Sequence, residues 1–328
     1  MMAKKTITVD ILTSAYNEEE CLPELFVRLD KVFSHEKNYS YQILVVDNGS
    51  IDSTWEIIQN HAKNNARIQG FRMSRNFSLD AAFTCGLDHA KSDIAIIMTS
   101  DLQDPPETIP ELLRAFEKGA DQVLVKIISR DDVPLLRRYL SQLFYKIAKK
   151  MTGGMLPESV SDFRLVNKKT YQAIRRLREN HRFLRGLGSW VGFKTSYIEI
   201  NRPSRFAGES KWIKMSLIAV IAQASRSIFA YSATPLMFVS FMGVFFSIIS
   251  FVGLIISSVV WIASGVPFAG YGSIIGLIAL GFSLTMLAIG VLAQYLGLVY
   301  EEVKQRPLYI VSETSFKIRG SSNLEQFP

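Results

Sequence analysis

Between Ser227 and Tyr300 the chain carries no Asp, Glu, Lys, Arg or His, a stretch of 74 residues in a protein of 328 whose charged residues make up 20% of the whole. A gap of that length excludes an ordinary soluble fold, a disordered chain and a disulfide-stapled one. It breaks once, at Ser264-Gly265-Val266-Pro267-Phe268-Ala269-Gly270. That leaves apolar spans at roughly 235–262 and 273–299, each longer than the ~20 helical residues a bilayer core needs. Basic residues flank the pair (Arg226 before, Lys304 and Arg306 after) and the joining hairpin is uncharged. The positive-inside rule then predicts a multi-pass protein of the cell (inner) membrane with both termini cytoplasmic. Helices of a soluble core are the competing reading. Met1–Asp10 holds Lys4 and Lys5 but no apolar run of a cleavable signal, so the polar part is expected on the cytoplasmic side.

Ahead of the spans, apolar strands alternate with amphipathic helices. Ile7–Ser14 reads as a strand, and Leu22, Leu25, Phe26, Leu29 and Val32 line one helical face with Asn17 as its expected cap. Strands at 41–46, 68–73, 94–98 and 122–127 alternate with helices at 53–63, 79–90 and 110–118. Continuous apolar strands separated by helices predict a doubly wound α/β domain around a mostly parallel sheet. Further on, 134–150 reads as a basic amphipathic helix, and 205–230 mixes Arg205, Lys211, Lys214 and Arg226 with Trp212 and aliphatic residues, as helices lying at a bilayer surface do. The expected organisation is a domain over 1–204, juxtamembrane amphipathic helices over 205–232, two transmembrane helices over 233–300 and a cytoplasmic C-terminal tail over 301–328. Thirty-seven Lys+Arg against thirty Asp+Glu give a net charge of +7; with no arginine-rich tract, an anionic leaflet or phosphorylated ligand is expected and nucleic acid is not. Cys21 and Cys85 are too few and too far apart for a metal knot, which fits a reduced domain.

Sheets of this kind place ligands at the carboxyl ends of their strands. Three polar clusters fall there: Ser14–Glu18, Asp47–Ser50 and Ser100–Asp104. Asp101-Leu102-Gln103-Asp104-Pro105-Pro106 supplies hard oxygen donors that suit a divalent cation and its diphosphate, although Asp-Pro also begins turns and caps helices. Asp47-Asn48-Gly49-Ser50 fits a carboxylate that binds a base or ribose, or a plain turn. Arg75 adds a cation beside the same edge, or is an ordinary surface arginine.

The order Tyr16-Asn17-Glu18-Glu19, Asp47-Asn48-Gly49-Ser50, Ser74-Arg75-Asn76-Phe77, Asp101-Leu102-Gln103-Asp104-Pro105-Pro106-Glu107 and Ser161-Asp162-Phe163-Arg164-Leu165 resembles family 2 glycosyltransferases. With Arg205-Phe206-Ala207-Gly208-Glu209-Ser210-Lys211 and two spans, it is similar to the polyprenyl-phosphate branch, to which dolichyl-phosphate mannose synthase and the enzymes that glycosylate undecaprenyl phosphate belong. The resemblance implies a GT-A fold, a nucleotide-diphosphate sugar donor (a UDP-sugar), Mg²⁺ or Mn²⁺, a polyprenyl-phosphate acceptor at the membrane, and inverting hexosyl transfer that serves cell-envelope glycans. It implies that Ser14, Tyr16, Glu18, Asp47, Arg75 and Ser100 hold the nucleotide and that Asp101 and Gln103 hold the metal. Arg205 and Lys211 match the phosphate-binding pair, Arg130, Arg138 and Ser141 the acceptor-phosphate group, and Asp162 with Asp101 the catalytic residues. Asp162 also admits a structural reading, as an ion pair with Arg164 or a helix cap.

Three positions depart from the family pattern. Thr99 stands where many relatives have the first Asp of Asp-x-Asp, Asn48 where they have Asp, and Ser78 where they have Gly. Thr99 motivates one alternative, a membrane-anchored nucleotide-sugar binding protein with impaired catalysis. The other, a glycosyltransferase with a glycolipid or polysaccharide acceptor, is disfavoured because neither a Gln-x-x-Arg-Trp motif nor further spans are present. Small residues in the spans (Gly276, Gly281, Gly290) fit a homo-oligomer.

Overall fold

The computed structural model describes residues 6–128, 160–180, 182–203, 206, 234–264 and 270–316. These fall into two compact units. One holds the described residues up to 206 and those from Arg306 onward; the other holds those between 234 and Gln305. The predicted helix at 134–150, the juxtamembrane segment 205–232 (Phe206 apart) and the candidate residues Arg130, Arg138, Ser141, Arg205 and Lys211 lie outside the described residues.

The first unit is built on an eight-stranded sheet. In chain order its elements are β1 (Ile7–Ala15), α1 (Leu22–His35), β2 (Tyr39–Asp47), α2 (Thr54–Asn64), β3 (Ile68–Met73), α3 (Leu79–His89) and β4 (Ile94–Thr99). A short 3₁₀ turn, Pro106–Thr108, leads into α4 (Ile109–Glu117), followed by β5 (Gln122–Ile127), β6 (Val160–Asn167), α5 (Lys168–Arg176), α6 (Leu184–Trp190), β7 (Thr195–Ile200) and, after the second unit, β8 (Val311–Thr314). Spatially the strands run β7-β5-β6-β4-β1-β2-β3-β8. β1 pairs in parallel with β2 and β4, β2 with β3, and β5 with β7, whereas β6 runs antiparallel between β4 and β5, and β8 antiparallel on β3.

This is the mostly parallel α/β sheet expected of the domain, with three strands not expected from the sequence: β6, β7 and β8. Arg164 sits inside β6 with 2% of its surface exposed, beside the buried Asp162. Charges that neutralise one another hide the strand from a pattern reading. β8 is four residues long and falls in the stretch read as a tail. The helices form where the apolar spacing predicts: Leu22, Leu25, Phe26, Leu29, Val32 and Phe33 of α1 are all buried, each worth about 1.5–3 kcal/mol for a fully buried aliphatic or aromatic side chain. Asn17, however, does not cap α1, which starts later at Leu22. Cys21 and Cys85 are free and buried.

In the second unit, α7 (Thr234–Ser264) and α8 (Tyr271–Val303) lie against each other and cover the predicted spans. Both are long and apolar enough to cross a membrane, by length and composition. Their outer faces expose Phe238, Ile262 and Leu277.

One buried carboxylate on the central strand β1 fixes the end of the sheet opposite the strand tips. Asp10, fully buried on β1, accepts hydrogen bonds from Lys91 N (2.7 Å), Ser92 N (2.9 Å), Ser92 Oγ (2.7 Å) and Gln42 Nε2 (2.5 Å). Replacing it leaves two backbone donors buried without partners. Asp10→Ala is therefore expected to lose about 2–4 kcal/mol of unfolding free energy, read as a lower denaturant midpoint.

Candidate active site

The parallel register brings three strand tips level. Ala15 is opposite Asp47, Ser14 opposite Thr99, and Asp47 opposite Arg72. The loops that follow are then latched together. Asn17, with a left-handed φ of 54°, donates its backbone N–H to Ser50 Oγ (2.9 Å) and accepts from Ile51 N at Oδ1 (3.0 Å). Glu18 N donates to Thr54 Oγ1 (2.9 Å), and Ser53 N donates to Glu19 Oε2 (3.0 Å). This is what Asn17 does in place of a helix cap.

Asp47 is fully buried. Its Oδ1 accepts from Ser50 N at 2.9 Å, while Oδ2 lies 3.4 Å from Arg72 Nε and has no hydrogen-bond partner among the described residues. Burial pushes the carboxyl above its ordinary range, with the Ser50 donors and Arg72 offsetting this in part. This acceptor oxygen is unpaired but buried, so an imide or hydroxyl donor of a ligand would satisfy it once the adjoining loops give access. Gly49 takes a φ of +75°, and a Cβ there would sit 2.5 Å from the Arg75 carbonyl carbon, so the turn can pack against the next loop only as glycine. Asn48 Oδ1 accepts from Phe77 N (3.0 Å) while its Nδ2 donates to Ser78 O (3.2 Å). An aspartate could not donate, which explains this departure from the family pattern. Ser78 in turn caps α3, accepting from Ala81 N at 3.0 Å. Arg75 is exposed and lies over the Phe77 ring at 4.0 Å.

At the tip of β4 the chain folds into a tight turn in which Leu102, buried, takes a left-handed φ of 60°. Ser100 Oγ donates to Ser14 O (2.8 Å), tying β4 to β1. The Thr99 hydroxyl lies 2.7 Å from Asp101 Oδ1 and 2.8 Å from Asp104 Oδ2. A third carboxylate at position 99 would repel both; the hydroxyl bridges them instead. Gln103 N also donates to Asp101 Oδ1, at 3.2 Å. Asp104 is fully buried and takes further contacts from Thr99 N (3.0 Å), Ser161 Oγ (3.3 Å) and Arg202 Nη2 (3.3 Å). It is committed to the fold and does not stand in for the carboxylate that Thr99 replaces. Asp101 and Gln103 are half-buried at the turn's outer side. One carboxylate and one amide oxygen fit a hard cation that shares its remaining sites with phosphate and water. Among the described residues no cluster of three or more His, Cys, Asp or Glu side chains forms a cage for a resident ion.

Asp162, near the start of β6, is next to Ser161, which contacts Asp104. The carboxylate is gripped at both oxygens by Arg185 of α6, Nε to Oδ1 at 2.7 Å and Nη2 to Oδ2 at 2.5 Å. Arg164 comes only within 3.9 Å and spends its donors on the carbonyls of Asp162 (3.1 Å), Leu184 (3.1 Å) and Ser161 (3.2 Å). The expected ion pair of Asp162 with Arg164 is thus present but long, and the closer partner is Arg185, which was not expected from the sequence. Burial raises the Asp162 carboxyl, but the guanidiniums of Arg185, Arg164 and Arg202 outweigh it and hold the group below the ordinary carboxylate range. Asp80, in the first turn of α3, accepts from Leu184 N at 2.9 Å. Burial and the neighbouring Asp162 charge push it up to about 6.

Ser14, Tyr16, Glu18, Asp47, Ser100, Asp101 and Gln103 therefore gather at one end of the sheet, with Arg75 on the adjoining loop and Asp162 on the neighbouring strand. Sequence reasoning missed Arg72, Asp80, Arg185 and Arg202. Arg72 alternates within a strand, Arg202 follows β7, a strand not expected from the sequence, and Asp80 and Arg185 sit on helices with no strand-end polar cluster to mark them. Asp80 carries a stability consequence. Its proton affinity is raised on folding, so its contribution is fully present below its unfolded value of 3.8 and is lost as pH rises through about 6. Asp80→Asn keeps the acceptor for Leu184 N and removes the charge. It is expected to raise the melting temperature at pH 7.5, with the gain shrinking towards pH 4.5 in a thermal-melt series.

The family model for glycosyl transferase family 2 matches residues 10–175. An uncharacterized glycosyltransferase of Synechocystis is 36% identical over 94% of this chain and 96% of its own. The SfII prophage-derived bactoprenol glucosyl transferase of Shigella flexneri is 35% identical over 93% and 98%, and the prophage bactoprenol glucosyl transferase homolog of Escherichia coli K12 is 33% identical over 92% and 98%. Among solved structures, glucosyl-3-phosphoglycerate synthase from Mycobacterium tuberculosis in complex with Mn²⁺, UDP and phosphoglyceric acid aligns with a TM-score of 0.46 and 16% identity over 68% of this chain and 76% of that one, too distant to carry residues across. With a family model covering half the chain and relatives matched nearly end to end, the protein is a glycosyltransferase of family 2, similar along its length to the bactoprenol glucosyl transferases.

Proposed function

We propose that the protein transfers a hexose from a UDP-sugar to a polyprenyl phosphate such as undecaprenyl phosphate, with inversion at the anomeric carbon, at the cytoplasmic face of the cell membrane. The observation that carries this reading is the gathering of Asp47, Asp101 and Asp162 at one end of the sheet, in a chain matched nearly end to end by bactoprenol glucosyl transferases. The two long apolar helices support a membrane setting for a lipid acceptor. A homo-oligomer through their small residues belongs to the same reading.

In this scheme Ser14, Tyr16, Glu18, Asp47, Arg75 and Ser100 line the nucleotide side. The open Oδ2 of Asp47 takes a donor of the base or ribose. Asp101 and Gln103 hold the Mg²⁺ or Mn²⁺. When bound, that ion neutralises charge on the departing diphosphate, alongside Arg205 and Lys211. The acceptor monophosphate has a second pKa near ~6 and so arrives largely as a dianion. Its oxygen bonds to the anomeric carbon as the bond to the nucleoside diphosphate breaks, through an oxocarbenium-like state. Such a nucleophile needs little base assistance, and Asp162 is suited to little: it is held ionised and weakly basic by its arginines. Its role here is to hold Arg185 and orient the acceptor. The charges of Asp80, Asp104 and Asp162 balance those of Arg164, Arg185 and Arg202, so this group of six has no surplus for a dianion. Arg130, Arg138 and Ser141 are the residues assigned to supply that attraction.

Membranes containing the protein should move labelled glucose or another hexose from a UDP-sugar to undecaprenyl phosphate, and a chelator should stop the reaction. Asp101→Ala should lower turnover by about a hundredfold or more, the scale of losing one charge-stabilising element. Asp162→Asn should lower turnover while leaving UDP affinity within about twofold. Unchanged turnover in Asp162→Asn would remove that residue from the mechanism. UDP-sugar binding with no transfer to any lipid phosphate would favour the binding-protein alternative that Thr99 motivates.

A further inference from the structure

The segment that follows the second apolar helix is fastened along the edge of the sheet. Tyr309 OH donates to Asp88 Oδ2 (2.8 Å), Ser74 N donates to Ile310 O (2.9 Å), and Ser315 both donates its N–H to Gly70 O (3.0 Å) and accepts from Gly70 N at Oγ (2.7 Å). Tyr309 and Val311 are buried. β8 pairs Glu313 directly across from Arg72, and the register shifts between Arg72 and Met73, the kind of bulge that re-aims a side chain.

The Arg72 guanidinium is consequently held at three points. Nη1 donates to Glu313 Oε1 (3.1 Å), Nη2 reaches Ser50 O (3.5 Å), and Nε faces Asp47 Oδ2 (3.4 Å). Glu313 is itself held from behind, its Oε2 accepting from the indole N–H of the buried Trp55 at 3.0 Å. Arg72 is thus the cation beside the Asp47 oxygen that has no hydrogen bond among the described residues, and Glu313 makes the shortest contact that holds it there. Without Glu313 the guanidinium loses its shortest contact and keeps only the longer ones, to Ser50 O (3.5 Å), to Asp47 Oδ2 (3.4 Å) and over the Trp55 ring (5.9 Å).

We propose that Glu313 is a positioning residue of the donor site: by fixing Arg72 against Asp47, the strand that returns from the second apolar helix sets the affinity for the nucleoside diphosphate. This rests on the reading that Asp47 holds the nucleoside, and the two are separable by experiment. Full-length detergent-solubilised protein is titrated calorimetrically with uridine diphosphate in the presence of Mn²⁺. Glu313→Gln is expected to weaken binding about fivefold, the scale of a partly exposed charged pair, and Arg72→Lys to reproduce the loss through the partner residue. The deciding readout is a double-mutant cycle. In an Asp47→Asn background, Glu313→Gln should change affinity less than twofold, because its route to the ligand is already cut. Wild-type affinity in both Glu313→Gln and Arg72→Lys would overturn the proposal, as would losses that simply add in the cycle, the signature of a general effect on the fold. If Asp47→Asn binds as tightly as wild type, the role of Asp47 itself fails, and with it this extension.

Discussion

A single buried carboxylate, Asp104, holds the two sides of the site together. It accepts from the Thr99 backbone and hydroxyl at the tip of β4, contacts Ser161 at the start of β6, and pairs with Arg202 just beyond β7. Burial drives its proton affinity up, and Arg202 is the largest opposing influence. A fully buried charge is tolerated only when its lone pairs are satisfied, so these three segments cannot separate without exposing or protonating it. The tightness of the 99–104 turn, the left-handed Leu102 and the outward placement of Asp101 and Gln103 all follow from that anchorage.

The same logic explains Thr99. With Asp104 inside and Asp101 outside, the side chain between them is pressed against two carboxylates. A hydroxyl there removes one negative charge from the turn and places its single O–H proton between the two carboxylates, to be donated to one of them. The proposed cation site is correspondingly sparse: one carboxylate and one amide, completed by the donor's own phosphates. Such a site depends on the nucleotide for its affinity, which distinguishes it from a cage built to retain an ion.

Much of this was legible in the sequence because the governing signals are local. Apolar runs mark β1, β2 and β4, and the polar clusters at their ends mark the loops that meet in a parallel sheet. What escaped is what depends on partners distant in sequence. β6 hides because Asp162 and Arg164 are charged, and their burial makes sense only once Arg185 is seen to arrive from α6. β8 hides because four residues carry little pattern, and its meaning lies in Glu313 meeting Arg72 some 241 positions earlier. Asn17 and Asn48 were visible as polar turn residues. That one latches the β2–α2 loop and the other needs both an amide donor and an acceptor is a fact of the assembled strand tips.

In the proposed scheme Asp47 and Asp101 serve one donor nucleotide from the ends of the two strands that flank β1. An experimentally determined structure of the full-length protein with a non-hydrolysable UDP-sugar and Mn²⁺ tests it most directly. The expected result is the base or ribose within hydrogen-bonding distance of Asp47 and Mn²⁺ held at Asp101 beside the diphosphate. A nucleotide bound elsewhere, or an ion that bypasses Asp101, would contradict it.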